Sequence, residues 1–389
     1  MSRGDIDQSA RRADAARGPG GTEPSKEESA AAAAVLRLIW GTQMARAVYV
    51  MAKLGIADLL ADAPLTAAQL AQATQAHEPS LYRILRLLAS LSVLNEHAHR
   101  SFSLTILGER LRAEVPASMR SWAMLVESAG GLRSWEPITE TVTTGKPGLD
   151  IAYGMGLFEF LAAHPDLAQQ FQAAMSEQTA AYAPSVAAGY DFAPMQTVAD
   201  IGGGKGTLLA AILRAHNHLR GVLFDRPSVV ADAAEVFRSA GVADRCQIVP
   251  GDFFQAVPDG ADAYILANVL HDWDDADSVR ILAACRRAMA NDGRVLIVER
   301  LIPDDPADAV PVLLSDLTML VVTGGQERTN AEYGQLLAEA GLSLAKVQPV
   351  ASPFGVIEGL APRADQHQSG HDRTCEEKEH GRGPHGQGR

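Results

Sequence analysis

The chain has 389 residues, of which 47% are apolar and 21% are charged, a composition typical of a globular protein with two domains. Its formal net charge of −13 argues against nucleic acid and an anionic membrane surface as partners, because phosphate groups bind to basic faces. Three scattered cysteines, Cys246, Cys285 and Cys375, have no metal-ligand spacing and suit a reducing cytoplasm. The N-terminus has no apolar core of a signal peptide, and no apolar run is long enough to predict a transmembrane helix.

The two ends of the chain are polar, whereas the segment after the N-terminal end is apolar and helical in pattern. Residues 1–24 and 363–389 are polar, and we predict that both are disordered. In residues 25–115, Ser25 and Glu28 have the spacing of a capping box, and an apolar helical stretch then continues to Val50. Further helical segments and a short hairpin follow, in an order that resembles a winged-helix module. Its few basic residues argue against reading DNA, so we predict a dimerisation or lid role for this domain.

Residues 116–190 are predicted to form a helical connection that lines the substrate site. The segment is rich in bulky apolar side chains, most of which we expect in the core and a minority in an apolar pocket. Helical spacing alone does not separate the two groups. Our candidates for the pocket are Trp135, Phe171 and Met175, together with Met319 farther along the chain.

Residues 191–362 alternate short apolar runs with helical segments of 10 to 15 residues. This alternation is typical of βαβ units around a parallel sheet. Two final strands follow the last helix. We therefore predict an α/β, Rossmann-like domain with a mostly parallel seven-stranded sheet.

A glycine-rich turn follows the first strand of this domain. Asp200 precedes glycines at positions 202, 204 and 206, which gives the pattern G-x-G-x-G instead of the dinucleotide fingerprint G-x-G-x-x-G. Gly202 and Gly204 are expected to permit positive φ angles and a close approach of a ligand to the backbone. The pattern favours a ligand that has no pyrophosphate.

Acidic residues end the next two strands. Asp225 ends the second strand, where a carboxylate hydrogen-bonds ribose hydroxyls in related folds. Asp252 and Phe253 end the third strand, a position suited to an adenine amine with an aromatic ring beside it. The three signals on successive strands predict a nucleoside-binding edge.

The motifs VADIGGGKGTLL, GVLFD, GDFF, NVLHDWDD, VLIVERLIP and GGQERT resemble those of S-adenosylmethionine (SAM)-dependent small-molecule O-methyltransferases. That family includes the plant caffeic-acid type and bacterial enzymes that methylate hydroxyls of antibiotics. The resemblance runs from about residue 30 to about residue 360. It implies SAM as cofactor, S-adenosylhomocysteine as product and a homodimer formed through the N-terminal domain.

The resemblance also implies roles for individual side chains. His271, at the end of the fourth strand, matches the general base of the family, and neutral imidazole is suited to proton removal near neutral pH. Glu299 and Glu327 match the two acids that orient this histidine. Trp273 is expected to stack against the adenosine. Asp272 either contacts the acceptor or caps the following helix.

One position departs from the plant members of the family. They carry a lysine where this chain has Ala267, which places the chain with the bacterial group. The expected reaction is methylation of a phenolic or hydroxyquinone-type hydroxyl on an aromatic or polyketide metabolite, without a metal. The alternatives are a SAM-binding relative that performs N-methylation, decarboxylation or hydroxylation, and a non-catalytic winged-helix regulator.

Overall fold

The structure, a computed structural model, describes residues 25–361 except 291, 304, 306 and 307. The predicted disordered tails therefore lie outside the described residues. Among the described helices, none combines the length and the apolar character needed to span a membrane.

The N-terminal part is a small helical domain with a three-stranded antiparallel sheet. The sequence predicts one helical stretch through Val50, but the structure breaks it at Trp40, which ends one helix and begins the next. The expected capping boxes at Ser25 and Thr66 are both present. The elements are α1 (Lys26–Ile39), α2 (Gly41–Lys53), α3 (Ile56–Leu59), β1 (Leu65–Thr66), α4 (Ala67–Thr74), α5 (Glu78–Ser90), β2 (Leu94–His97), β3 (Ser101–Leu104) and α6 (Ile106–Glu109).

This domain has its own hydrophobic core. Side chains from α2, α4 and α5, among them Met51, Leu70 and Leu85, pack around Phe102 of β3. Since β3 pairs with both β1 and β2, the hairpin forms the wing predicted from the sequence.

The connection to the second domain is helical, as predicted. Its longest helix, α12, runs for 25 residues and packs against α7. The helices are α7 (Arg120–Val126), α8 (Ala129–Trp135), α9 (Ile138–Thr144), α10 (Gly148–Tyr153), α11 (Leu157–Ala163) and α12 (Pro165–Gly189).

The C-terminal part is a seven-stranded sheet with helices on both faces. Its strands are β4 (Thr197–Ile201), β5 (Arg220–Asp225), β6 (Cys246–Pro250), β7 (Ala263–Ala267), β8 (Arg294–Arg300), β9 (Ser343–Ala351) and β10 (Phe354–Leu360). Its helices are α13 (Thr207–Ala215), α14 (Pro227–Val230), α15 (Ala233–Ser239), α16 (Asp275–Ala288), α17 (Val310–Val322) and α18 (Asn330–Glu339).

The strand order is β6-β5-β4-β7-β8-β10-β9. The strands from β6 to β8 are parallel, whereas β10 runs antiparallel to β8 and β9. The order reverses between β4 and β7, and ligands of such sheets bind at the carboxyl ends of the strands beside this reversal. The glycine turn, Asp225 and His271 all follow strand ends at this edge. The predicted fold class is confirmed.

Candidate active site

The glycine turn lies between β4 and α13 and is packed tightly from below. Gly202, Gly204 and Gly206 all have positive φ angles of 71°, 61° and 83°. A Cβ at Gly202 would approach a methyl group of Val269 to 2.8 Å. The backbone of this turn is therefore open to a ligand on its outer side and closed to side chains on its inner side.

Asp200 lies beneath this turn and is fully buried. Its burial, together with the negative charge of Asp225, raises the pKa of the carboxyl group to about 7, and a hydrogen bond from the backbone of Leu209 acts in the opposite direction. The raised pKa makes this carboxyl group easier to protonate than an ordinary aspartate.

Asp225 holds the turn in place from the end of β5. One carboxylate oxygen accepts a hydrogen bond from the N–H of Gly204 at 2.9 Å, and the other accepts one from the N–H of Arg226 at 2.7 Å. Burial raises the pKa of the Asp225 carboxyl group. Asp252 lies two residues beyond the end of β6, not at the strand end as the sequence predicts. It is exposed, and one of its oxygens accepts a hydrogen bond from the N–H of Phe254 at 2.9 Å.

An aromatic cluster surrounds Trp273 next to this turn. The ring of Phe158 stacks on the indole with 5.5 Å between centroids. Phe253 and Phe254 meet the indole edge-on at 5.9 Å and 4.7 Å. The guanidinium of Arg226 lies 4.6 Å above the Phe158 ring. Sequence reasoning placed Phe158 among core or pocket residues without a site role, because its contact partner is 115 positions away in the chain.

His271 is buried in a short 3₁₀ turn after β7, as the sequence predicts from its place at a strand end. Its Nδ1 lies 3.2 Å from Oε1 of Glu327 and 3.4 Å from Oε2 of Glu299. Its Nε2 is 3.9 Å from Oδ1 of Asp272, which is too long for a hydrogen bond. Both predicted acids therefore converge on the same ring nitrogen.

The carboxylates decide the charge of this imidazole. Burial lowers the pKa of His271, but Glu299, Glu327 and Asp272 together raise it to about 9. Burial also raises the pKa of Glu299. Burial would raise the pKa of Glu327 too, but the hydrogen bond and the charge of His271 keep it below its ordinary value. The resting cluster thus pairs an imidazolium with the Glu327 carboxylate.

Each acid is held by further contacts. Oε1 of Glu299 accepts from the backbone N–H groups of Val269 and Leu270, both at 3.0 Å, and from His271 at 3.4 Å. Oε1 of Glu327 accepts from the Ser315 hydroxyl at 2.7 Å. Glu299 thereby fixes the backbone of the histidine turn, which the sequence pattern did not indicate.

A second buried polar chain adjoins Glu327. Nη1 of Arg300 lies 3.5 Å from Oε1 of Glu327 and donates to Oδ1 of Asn268 at 3.1 Å. The Asn268 amide donates to the Tyr182 hydroxyl at 2.7 Å. These three residues were missed from the sequence. Only the adjacency of Arg300 to Glu299 could have pointed to one of them.

The predicted acceptor residues are spread over three helices. Trp135 ends α8 and is 37% exposed, Phe171 and Met175 are half-buried on α12, and Met319 is half-buried on α17. Phe171 and Val322 of α17 both pack against one apolar cluster, and α17 also contacts α8. The role of the four residues in acceptor binding stays a prediction.

A cavity of about 180 Å³ lies beside them, between α7, α12 and the turn that joins β9 to β10. None of the predicted acceptor residues lines it. The lining includes Trp122, Ala174, Gln178, Tyr182 and Phe354. Apolar spacing alone did not predict this cavity, because two of its walls come from distant parts of the chain.

His271, Glu299 and Glu327 are also close enough to share a metal ion, with one ligand atom of each within 4.8 Å of the others. The sequence analysis groups these three residues as a base with two orienting acids and expects no metal. In the structure, the carboxylates lie against Nδ1, the backbone of the histidine turn and the Ser315 hydroxyl.

Comparison with known proteins identifies the family. The model of the O-methyltransferase domain matches residues 135–343, and the model of the O-methyltransferase dimerisation domain matches residues 36–114. The chain belongs to the O-methyltransferase family. It carries the dimerisation domain of that family, and its fold is that of the SAM-dependent methyltransferases, as the resemblance implied.

Individual relatives of this O-methyltransferase cover most of its length. A phenazine O-methyltransferase of Lysobacter antibioticus is 42% identical over 324 residues, which are 83% of this chain and 94% of the relative. An 8-amino-8-demethylriboflavin N,N-dimethyltransferase of Streptomyces davaonensis is 38% identical over 320 residues, 81% of this chain and 91% of the relative.

A solved structure of an O-methyltransferase is also similar to this chain. The crystal structure of an O-methyltransferase from neocarzinostatin biosynthesis, in complex with SAM and 2-hydroxy-5-methyl naphthoic acid, matches with a TM-score of 0.71 at 36% identity. The match covers 82% of this chain and 96% of that chain.

Proposed function

We propose that this O-methyltransferase transfers the methyl group of SAM to a phenolic or hydroxyquinone-type hydroxyl of an aromatic or polyketide metabolite, with His271 as general base. The observation that carries the proposal is the convergence of Glu299 and Glu327 on Nδ1, at 3.4 Å and 3.2 Å. Because Nδ1 is engaged by both acids, Nε2 is the nitrogen that takes the proton of the acceptor hydroxyl.

A phenol is a weak nucleophile until it loses its proton, and its pKa is about 10 by analogy with tyrosine. In the fraction of molecules in which His271 is neutral, Nε2 removes that proton, and Glu299 and Glu327 stabilise the imidazolium that forms. When bound, SAM supplies a methyl group on a positively charged sulfonium.

The cofactor site that we propose is the glycine turn with its acidic neighbours. The buried carboxylate of Asp200 and the open outer side of Gly202 and Gly204 fit a bound nucleoside with an amino acid arm. Asp225 would hold the ribose, and Asp252 with Phe253 would flank the adenine. Trp273 would stack on the adenosine in place of one of its present aromatic neighbours.

The acceptor would lie between the helical segment and the sheet edge, in contact with Trp135, Phe171, Met175, Asp272 and Met319. We propose a cytoplasmic homodimer that needs no metal. We also keep the boundaries 25–115, 116–190 and 191–362 for the dimerisation domain, the connection and the catalytic domain, respectively.

An aromatic amine is the second candidate acceptor, because a relative of 38% identity is named as an N,N-dimethyltransferase. A neutral amine already carries a free electron pair and needs no proton removal before it attacks. Loss of His271 therefore separates the two chemistries. It would abolish methylation of a hydroxyl but leave methylation of an amine largely in place.

The test combines cofactor binding with methyl transfer, all in the presence of EDTA. Calorimetry with S-adenosylhomocysteine on the wild type and Asp225→Ala should show binding that the substitution weakens by about tenfold or more, as expected for lost charged hydrogen bonds. A screen of phenols and aromatic amines, including 1,4-dihydroxy-2-naphthoic acid, should show O-methylation that His271→Ala lowers by at least about 100-fold.

Two results would contradict the proposal. Wild-type activity that EDTA abolishes would replace the metal-free mechanism with a metal-dependent one. O-methylation that is indifferent to His271→Ala would leave the fold and the cofactor intact but remove the general base from the mechanism.

A further inference from the structure

We propose that Arg328 is a positioning residue, which clamps the backbone on both sides of His271 to the loop that carries Glu327 and so sets the distance between the imidazole and this carboxylate. The inference rests on the proposed role of His271. Arg328 follows Glu327 directly, but its side chain makes none of the contacts to the imidazole itself.

The guanidinium of Arg328 is fully buried and bonds the histidine turn at two points. Its Nη1 donates to the carbonyl oxygen of Leu270 at 3.0 Å, and its Nη2 donates to the carbonyl oxygen of Trp273 at 2.8 Å. These two residues lie immediately before His271 and two positions after it. The arginine therefore grips the turn at both ends of the base.

The same side chain is itself anchored. Nε and Nη2 donate to Oδ1 of Asp275, the first residue of α16, at 3.0 Å and 2.8 Å. Its backbone forms a parallel bridge with Leu301, just beyond the end of β8 that carries Glu299. Arg328 thus joins the histidine turn, the start of α16 and the strand end of Glu299 into one rigid unit.

Gly325, in the same loop as Arg328, also packs against the histidine turn. A Cβ at Gly325 would overlap the carbonyl oxygen of His271 and would lie 2.6 Å from the carbonyl carbon of Asp272. Only glycine lets the loop come this close, so the loop packs directly against the backbone of the histidine turn. Gly325 approaches the backbone of His271, Asp272 and Trp273, within the segment whose two ends Arg328 bonds.

Lysine cannot reproduce these contacts. A guanidinium is planar and presents five donors, which here reach two carbonyl groups and one carboxylate at once. An ammonium group has its donors on a single nitrogen and would have to give up one side of the turn. Arg328→Lys therefore keeps the positive charge but loses the clamp.

The charged groups around His271 make the clamp measurable. Glu299 from β8, Glu327 from the loop and Asp272 from the same turn all raise its pKa, while Arg300 from β8 faces Glu327 at 3.5 Å. If the loop separates from the turn, the contribution of Glu327 falls. The pKa of His271 then moves down toward its ordinary value.

The experiment compares Arg328→Lys with Arg294→Lys as matched control. Arg294 is also an arginine paired with a carboxylate, Glu358 at 2.8 Å, but its side chain is only partly buried and it lies at the opposite end of β8 from Glu299. Asp275→Asn is a milder second variant, which leaves Arg328 in place and removes the negative charge of its anchor, an Oδ1 that also accepts a hydrogen bond from the Gln326 amide. NMR titration of the His271 imidazole, assigned against the spectrum of His271→Gln, is measured beside kcat and the Kd for S-adenosylhomocysteine.

Arg328→Lys should lower the pKa of His271 and reduce kcat by about 100-fold, as a misplaced catalytic group does, with a change in Kd of less than about tenfold. Asp275→Asn should lower the pKa of His271 and kcat by smaller amounts. Arg294→Lys should leave the pKa of His271 and kcat near their wild-type values. If Arg328→Lys does not fold, the proposal is judged on whether Asp275→Asn lowers the pKa of His271 and kcat.

A titration and a kcat within about twofold of wild type in the folded Arg328→Lys protein would overturn the proposal, since misplacement by about 1 Å costs far more. Equal losses in Arg328→Lys and Arg294→Lys would also overturn it, because they would mark general destabilisation. If the wild type methylates no acceptor, the titration still decides whether Arg328 sets the pKa of His271, so failure of the proposed function remains distinguishable.

Discussion

At the scale of single residues, the site depends on one imidazole nitrogen shared by two carboxylates. Glu299 and Glu327 approach Nδ1 of His271 from a strand end and from a loop, and together with Asp272 they raise its pKa to about 9. An imidazole with a raised pKa is a stronger base, but near pH 7 most of it is already protonated. The carboxylates therefore make the neutral imidazole a stronger base but reduce the fraction of His271 that is neutral.

The first prediction concerns pH. The base acts only in its neutral form, so kcat/KM should rise as the pH increases from about 7 and level off above about 9, given the raised pKa of His271. Glu327→Gln removes a carboxylate that raises this pKa, so the inflection should move to lower pH while the maximum rate falls. The measurement is a pH–rate profile for both proteins with one phenolic acceptor.

The phenol titrates in the same direction as His271, so the variant supplies the control. Ionisation of the acceptor in solution has the same pKa with both proteins. An inflection at the same pH in the wild type and in Glu327→Gln would therefore assign the profile to the acceptor and contradict the assignment to His271.

The types of the site residues could be predicted from the sequence, but their contacts could not. His271, Glu299 and Glu327 stand in recognisable motifs at strand ends or in a glycine loop. Which ring nitrogen the acids engage depends on the 3₁₀ turn that follows β7, and no periodicity encodes that turn. Phe158, Arg300 and Arg328 were missed for a related reason, since their partners are distant in the chain.

At the scale of elements, the glycine turn between β4 and α13 combines a left-handed backbone with tight packing. Gly206 has a φ of 83°, and a Cβ there would overlap the ring of Phe237, a core residue of α15. The turn thus depends on glycine for two separate reasons. The G-x-G-x-G pattern predicted the first of these, the positive φ angles, but the contact with Phe237 comes from tertiary packing.

The second prediction separates these reasons by comparing Gly206→Ala with Gly241→Ala. Gly241 has a φ of 70°, and an added Cβ would have no neighbour within 4 Å. Gly241→Ala should cost about 1 to 2 kcal/mol of unfolding free energy from the left-handed backbone alone. Gly206→Ala should cost more and should also weaken S-adenosylhomocysteine binding. Urea unfolding and calorimetry measure the two effects.

Equal destabilisation by the two alanines, with cofactor affinity unchanged, would show that the turn tolerates a side chain and is not the cofactor site.

The helices also differ from the sequence prediction at the break at Trp40. Both α1 and α2 are apolar and helical in composition, so the periodicity continues across the break. Since α1 has no buried residues, packing against the core does not account for the break.

At the scale of the whole molecule, the sheet order and the N-terminal domain complete the site. The strand alternation predicted the parallel sheet, but the antiparallel pairing of β10 between β8 and β9 follows from packing that the pattern does not encode. The N-terminal domain leaves apolar side chains of its first helix exposed. Leu38 is 81% exposed and Ile39 is 65% exposed.

The third prediction concerns assembly. Trp40, 52% exposed, and Leu87 line a surface groove of about 440 Å³ next to these side chains, in a segment that matches the dimerisation domain from residue 36. Leu38→Glu combined with Trp40→Glu should convert a dimer to a monomer. Burying one large apolar side chain contributes about 1.5 to 3 kcal/mol, so losing two weakens a dimer strongly. Light scattering after size exclusion gives the mass.

Leu344→Glu is the matched control, because Leu344 is also exposed, at 41%, but lies on β9 of the catalytic domain. It should leave the mass unchanged. A double variant with the mass of the wild type would place the subunit contact elsewhere, and a monomeric wild type would remove the homodimer from the proposal.

The clamp at Arg328 has a consequence for how this protein can diverge. Arg328 bonds the carbonyl oxygens of Leu270 and Trp273, and every amino acid supplies such an oxygen. The clamp therefore does not depend on which side chain stands at either position, although Leu270 is held by its place in the core. Under our proposal, the half-buried position 273 can change over evolutionary time, and the surface beside His271 with it, while the clamp is retained.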